Sequence, residues 1–348
     1  MNICVEAGNP DDIALGRGLI ASGKVGCIVL AGGDGSRLGW DGPKGTYPLS
    51  LVRQKTLFEM LQENVTAACS LFERPLPLAI MTSPLNEEIT KKAFANYSGD
   101  VDFFTQRMSP ILDQNKNPLS EKRPNGNGEV LKQFYESGLF AKWKAAGVEY
   151  LNLILIDNPL ADPFDPNLIG LQAKKGADVA LKAIERTNPD EKVGVIGERD
   201  GKLQIVEYAE NPPANWNLAN TSLFSFHIDF VQKTKEESLP LHLAKKFLGK
   251  EIIYKQEYFI FDLLPFAENP QVVLYQREET FAPLKSREDV GAVQRALLNR
   301  DKKRYAKIAG TEPIDGIFEL AAPFHYPTKE LHEKWSGKPL PNTSYIEP

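Results

Sequence analysis

The segment Lys24-Val-Gly-Cys-Ile-Val-Leu-Ala31 constrains this chain most, because its apolar run passes directly into the glycine-rich stretch Gly32-Gly33-Asp34-Gly35. A continuous apolar run of this kind is the pattern of a strand buried on both faces of a parallel sheet. Open α/β sheets bind ligands at such strand ends. Glycines there let the backbone approach a ligand and aim N–H groups at phosphate oxygens. Leu30, Ala31, Gly32 and Gly33 therefore open a candidate phosphate loop that continues through Arg37 to Gly39. It is neither of the common loops: the dinucleotide pattern needs glycine where Leu38 stands, and the Walker lysine followed by Ser or Thr is absent. Lys44, in Gly42-Pro43-Lys44-Gly45, follows closely enough to fold back over the loop and place a point charge on a triphosphate. The bland alternative is a tight turn flanked by two solvated charges, Arg37 and Lys44.

Strand-then-helix alternation recurs downstream. Thr56 and Glu59 are spaced as a capping box, and Leu57, Leu61, Val65, Ala68 and Phe72 follow helical periodicity, predicting a helix over 56–72. Strands are expected at 78–81, 151–156 and 179–184, with helical patterns at 86–97 and 129–146, which together argue for a doubly wound α/β sheet. After about residue 176 the strands crowd, at 193–196, 203–208, 223–228 and 271–275, with Asp200-Gly201 as a hairpin turn. That crowding predicts a mixed or antiparallel extension of the sheet. The expected layout is an N-terminal extension over 1–20, a catalytic domain over 21–310 and a C-terminal extension over 311–348.

Composition excludes several classes of function. The 348 residues carry a net charge of −5, which gives no general field for nucleic acid, so any phosphate site is local. Cys4, Cys27 and Cys69 are few and lack metal-ligand spacing, which fits thiols in a reducing compartment. No apolar run approaches the roughly 20 residues of a membrane span, and the N-terminus lacks the pattern of a signal peptide. The expected location is cytoplasmic. His227, His242, His325 and His332 show no ligand spacing.

The glycine loop followed by Pro43-Lys44-Gly45 resembles that of UTP-dependent UDP-sugar pyrophosphorylases. The match is closest to the UDP-N-acetylhexosamine branch, through Lys55-Thr-Leu-Phe58, Ile80-Met-Thr-Ser83, Phe103-Phe-Thr-Gln106, Asn125-Gly-Asn-Gly128, Ile156-Asp-Asn158, Val193-Gly-Val195, Val206-Glu-Tyr-Ala-Glu210 and Phe281-Ala-Pro-Leu-Lys285. These blocks run in the family's order over most of the chain, although the chain is shorter than the eukaryotic members. The resemblance implies a Rossmann-like nucleotidyltransferase fold of the GT-A type, with small appendages at both ends. It also implies a uridylyltransferase using UTP and a hexose 1-phosphate, foremost N-acetylglucosamine 1-phosphate, with Mg²⁺ as cofactor and a monomeric or dimeric state.

Residue by residue, the resemblance implies that the loop backbone holds the nucleotide while Gln106, Gly126 and Asn127 hold the uridine. An amide side chain matches uracil's carbonyl–NH–carbonyl edge with a donor and an acceptor; otherwise Gln106 is a loop amide bonding its own backbone. On the sugar side stand Gly194, Glu207 and Asn220, with Glu207 accepting from sugar hydroxyls and Asn220 facing the 2-position; Asn158 is implied as a further substrate-binding residue. The ordinary alternatives are a solvated strand carboxylate for Glu207 and a turn residue ahead of a strand for Asn220. Asp157, at the end of the 151–156 strand, is the implied Mg²⁺ ligand, though an aspartate there also serves as a cap. Arg37, Lys44 and Lys285 are the implied catalytic cations.

The competing readings are a UDP-glucose or broad-specificity UDP-sugar pyrophosphorylase, and a nucleotide-sugar sensor without turnover. A sensor gains little from cations suited to phosphoryl displacement. A nicotinamide-dependent oxidoreductase is disfavoured by Leu38 and by the lack of a ribose-binding acid at the expected distance.

Overall fold

The computed structural model describes residues 4–249 and 251–348. Its first half contributes β1 (Cys4–Glu6), β2 (Val25–Leu30), β3 (Leu78–Thr82), β4 (Asp102–Thr105), β5 (Met108–Leu112), β6 (Pro118–Pro124) and β7 (Tyr150–Leu155). Between them lie α1 (Pro10–Ala21), α2 (Leu57–Leu71), α3 (Glu87–Ala93), α4 (Val130–Glu136) and α5 (Leu139–Ala145). The second half adds β8 (Val179–Glu185), β9 (Val195–Arg199), β10 (Lys202–Val206), β11 (Leu218–His227), β12 (His242–Leu248), β13 (Glu251–Glu257), β14 (Gln271–Leu274), β15 (Glu319–Leu320) and β16 (Tyr345–Ile346). Its helices are α6 (Pro166–Lys175), α7 (Ile228–Thr234), α8 (Arg277–Thr280), α9 (Val290–Ala309) and α10 (Lys329–Trp335).

The apolar run is β2, buried at every position. Ile28 and Leu30 enter the core on one face of the sheet, and Val25, Cys27 and Val29 enter the core on the other. That two-sided burial is what an unbroken apolar strand demands. Among the described residues the main sheet runs β1-β14-β8-β11-β7-β2-β3-β4, with β9 paired to β11 and β10 to β9. β2 lies parallel to both β3 and β7, whereas β11 runs antiparallel to β7 and β8. The expected doubly wound mixed sheet is present. The chain leaves β2 toward β3 on one side, and β7 fills the other, so β2 and β7 flank a topological switch point with their following loops facing each other.

The capping box forms as the sequence predicts, with Thr56 accepting from the Glu59 amide and Glu59 accepting from the Thr56 amide. The single helix expected over 129–146 is two, broken at Gly138, whose φ of 84° favours glycine. The helix expected over 86–97 is shorter, and the strand expected from residue 223 begins at Leu218. Asn220 therefore lies within β11, at a register shift ending at Phe224. Helices α1, α6, α7, α8, α9 and α10 and a second sheet of order β12-β13-β5-β6 were outside the sequence reading. No helix among the described residues is long and apolar enough to cross a membrane.

Residues 4–20, expected as an extension, add β1 to the sheet edge beside β14 and lay α1 against α6. That crossing brings backbone onto backbone. A Cβ on Gly170 would sit 1.7 Å from the Asp12 carbonyl oxygen, and one on Gly16 1.8 Å from that of Pro166. Gly170→Ala is therefore expected to destabilise the protein by about 3 kcal/mol, at the upper end for overpacking because backbone must yield. A denaturant melt with an unchanged midpoint would contradict this. After α9, Phe318, Phe324, Leu331, Trp335 and Ile346 pack on Tyr305 and Ile308 as a separate small core.

Candidate active site

Beyond the switch point two lysines distant in sequence converge on one carboxylate. Lys44 follows β2, Asp157 follows β7, and Lys285 lies between α8 and α9. Lys44 Nζ donates to Asp157 Oδ2 at 3.0 Å and to the Leu284 carbonyl at 3.1 Å. Lys285 Nζ donates to the same Oδ2 at 3.2 Å. Two ammonium groups around one carboxylate leave a local excess of one positive charge at the carboxyl edge of the sheet. Lys44 is not a solvated surface cation: its side chain is 7% exposed, against 49% for Lys285.

Burial pushes the Asp157 carboxyl up, but Lys285 and Lys44 more than offset it and hold the group below its ordinary value. Its second oxygen, Oδ1, is buried and makes no hydrogen bond among the described residues. A buried ionised oxygen without a partner is costly unless a cation or donor completes it.

Lys44 is placed by its loop. Its N–H donates to the Gly33 carbonyl, and Gly35 N–H donates to that of Gly42, folding the 42–46 segment back over the glycines. Asn86, which the sequence reading missed, fixes the loop from below. Its amide nitrogen donates to the Ala31 carbonyl at 2.9 Å, and its oxygen accepts from the Ser83 amide at 2.8 Å. The only sequence signal for it was an asparagine soon after the strand-end motif Ile80–Ser83.

Gly32 has a local reason to be glycine. A Cβ there would lie 2.7 Å from the Gln106 amide carbon and nitrogen, so the Gln106 side chain rests directly on the loop backbone. Gln106 is buried. Gly126, at φ 88°, and Asn127 adjoin the segment after β13. A Cβ on Gly126 would meet the Tyr258 carbonyl, and Asn127 Oδ1 accepts from the Ile260 amide. Arg37 stands exposed in a one-turn 3-10 segment, outside the lysine cluster.

Asn158, Gly194, Glu207, Asn220 and Lys285 line one cavity of about 150 Å³, with Asp157 in its wall. Both ends of the Asn158 amide are engaged: it donates to the Thr280 carbonyl at 2.8 Å and accepts from the Ala282 amide at 3.1 Å. It thereby ties the Lys285 segment to the Asp157 loop. Asn220 Oδ1 accepts from Ser222 N–H, leaving its amide nitrogen with one long contact to the Ser222 hydroxyl, 3.4 Å. The Glu207 carboxylate adjoins Gly194, where a Cβ would lie 3.0 Å from its Oε1. Burial and neighbouring Glu210 push the Glu207 carboxyl above its ordinary value, despite His242 and Lys285.

The family described as UTP–glucose-1-phosphate uridylyltransferase matches residues 17–308 of this chain, a span that contains Lys44, Asp157 and Lys285. The chain belongs to that family. UDP-N-acetylglucosamine diphosphorylase 2 of Arabidopsis thaliana is 31% identical to this uridylyltransferase-family chain over 344 residues, covering 85% of it and 68% of the relative. UDP-N-acetylhexosamine pyrophosphorylase-like protein 1 of Mus musculus is also 31% identical, over 345 residues, with the same two coverages. Among solved structures, the UDP-N-acetylglucosamine pyrophosphorylase of Trypanosoma brucei superposes with a TM-score of 0.82 at 25% identity, over 93% of this chain and 77% of that one.

Proposed function

We propose that this enzyme joins UTP to N-acetylglucosamine 1-phosphate, releasing pyrophosphate and forming UDP-N-acetylglucosamine. The observation that carries the reading is the meeting of Lys44, Asp157 and Lys285 at the switch point, beside a cavity holding Gly194, Glu207 and Asn220. A sugar-phosphate oxygen attacks the α-phosphorus of UTP, a new P–O bond forms, and the bond to the β-phosphate oxygen breaks. The nucleophile is already an anion near neutral pH, so the site has to align and neutralise two repelling phosphates rather than remove a proton.

Lys44, fixed by two hydrogen bonds, presents a positioned charge to the phosphates above the glycine loop. Lys285, half exposed, turns from Asp157 to the sugar phosphate. The unpartnered Asp157 Oδ1 is a hard oxygen donor that fits Mg²⁺, an ion commonly held by one or two carboxylates plus substrate phosphates. When bound there, Mg²⁺ supplies charge neutralisation for the phosphate oxygens. Gln106 and Asn127 recognise the base, and Glu207 and the Asn220 amide face the sugar. Asn158 acts by positioning, since its amide is spent on Thr280 and Ala282.

Gly32→Ala is expected to push the Gln106 amide off the loop and raise the KM for UTP about tenfold, roughly 1.4 kcal/mol, with kcat changed much less. An unchanged KM would remove Gln106 from base recognition. The reading as a whole is tested by pyrophosphate release from UTP and Mg²⁺ with N-acetylglucosamine, N-acetylgalactosamine and glucose 1-phosphates offered separately. Preference for N-acetylglucosamine 1-phosphate supports it. Preference for glucose 1-phosphate keeps the reaction and overturns the sugar, and no release from any favours a sensor.

A further inference from the structure

Behind the wall that carries Lys285 lies a second, larger cavity of about 370 Å³. It adjoins another of about 220 Å³, and the two share Asp162, Arg304, Lys307, His325 and Tyr326. One side of the larger cavity is α9, which presents Arg300, Lys303, Arg304 and Lys307 to it. Their i, i+3, i+4, i+7 spacing puts them on one helical face beside the buried stripe of α9, with Arg300 and Arg304 partly buried and Lys303 and Lys307 exposed, so the wall that this helix gives the cavity is cationic.

Some of this charge is already balanced. Arg300 donates to Asp301 and the Pro159 carbonyl, Lys303 pairs with Glu278 and Glu279, and Lys182 pairs with Asp165 at 2.6 Å. Asp162 accepts from the Tyr326 hydroxyl and the Phe164 amide. Arg304 and Lys307, and Arg17 of α1 on the smaller cavity, make no side-chain hydrogen bond or ion pair among the described residues. Burial and the adjacent Arg300 draw Arg304 below an arginine's ordinary value. Asp162 and Glu279 line the same cavity and partly offset this, but a half-buried guanidinium beside another cation and without an ion pair gains from an added counter-charge.

We propose that the paired cavities form a second ligand site, for a compact phosphorylated metabolite with at least two negative charges, held by Arg17, Arg304 and Lys307. A guanidinium offers a planar fork to phosphate oxygens, and Lys307 adds a mobile point charge at the mouth. The larger cavity is within the range of small-molecule pockets. The site is separate from the UTP site, yet shares a wall with it. Asn158 lines the active-site cavity and bonds the Thr280 carbonyl, and Thr280 lines the second cavity together with Leu160 and Asp162.

Calorimetric titration of the full chain with 2,3-bisphosphoglycerate tests the proposal, because this probe is a compact polyanion with neither a base nor a sugar ring. Saturable binding is expected in the wild type and in Lys285→Met. It is expected to weaken at least about tenfold in the double variant Arg304→Gln/Lys307→Gln, as for loss of charge-assisted hydrogen bonds. Arg17→Glu and Lys307→Glu alter exposed side chains and are expected to weaken binding even if the double variant does not fold. The proposal is overturned if the wild type shows no binding up to millimolar probe. It is equally overturned if binding is lost in Lys285→Met but survives the α9 and Arg17 variants, because the anion then occupies the active site. Neither result depends on turnover.

Discussion

Lys44→Met is expected to lower kcat about a hundredfold or more, roughly 3 kcal/mol of barrier, the usual cost of losing one preorganised charge donor. Methionine keeps most of the volume in a buried slot and removes only the charge. Asp157 retains Lys285 at 3.2 Å, so its carboxylate is not stranded. The Leu284 carbonyl loses its side-chain donor, which adds about 1–3 kcal/mol of destabilisation. Steady-state kinetics beside a thermal melt separates the two effects. A folded variant with full turnover would remove Lys44 from the chemistry, whereas a slow one with a modestly lowered melting temperature fits a lysine that is both catalytic and structural.

Asp157→Ala is expected to cost more in stability than any other single change at the site, about 3–5 kcal/mol, as when one partner of a buried ion pair is removed. The loss follows from geometry: Lys44 stays buried, and Lys285 becomes a like charge beside it with no anion between them. A denaturant melt measures the loss, and a midpoint within error of the wild type would mean that water or a counter-ion already neutralises Lys44. The same arrangement sets a sign for pH. Because the folded Asp157 carboxyl lies below its ordinary value, its contribution is fully present above the ordinary carboxyl range. It is lost as pH falls through the lowered folded value, so Asp157→Asn is expected to flatten the acid limb of the stability profile.

The parts of the fold written in local patterns were readable from the chain. The run of β2, the Thr56–Glu59 capping box and the strand ending before Asp157 each carry their signal within a few residues. The 20 residues of α9 escaped because the inward stripe Val293, Leu297, Asp301, Tyr305 and Ile308 is interrupted by a charge. Asp301 is buried because it accepts from the Leu320 amide and Arg300, a tertiary compensation invisible to periodicity. β12 escaped for the opposite reason: Leu243, Phe247 and Leu248 remain exposed, so no burial pattern marks it.

At the site, the glycine loop and its following lysine pointed to Lys44, and the family resemblance to Asp157 and Lys285, but the sharing of one carboxylate oxygen by two lysines depends on loop geometry. Asn158 shows the limit most clearly. Its position beside Asp157 was legible, whereas the engagement of its amide with Thr280 and Ala282 depends on a segment more than a hundred residues away.

The same long-range construction bears on how the protein acquires activity. Lys44 and Asp157 are 113 residues apart in sequence, and Asp157 and Lys285 are 128 apart. Contacts of such separation must overcome loop-closure entropy and form slowly relative to local structure. During refolding from denaturant, the return of turnover is therefore expected to lag the return of far-ultraviolet circular dichroism. Catalysis would then serve as a late clock for the chain, registering the moment when distant segments dock rather than when helices and strands first appear.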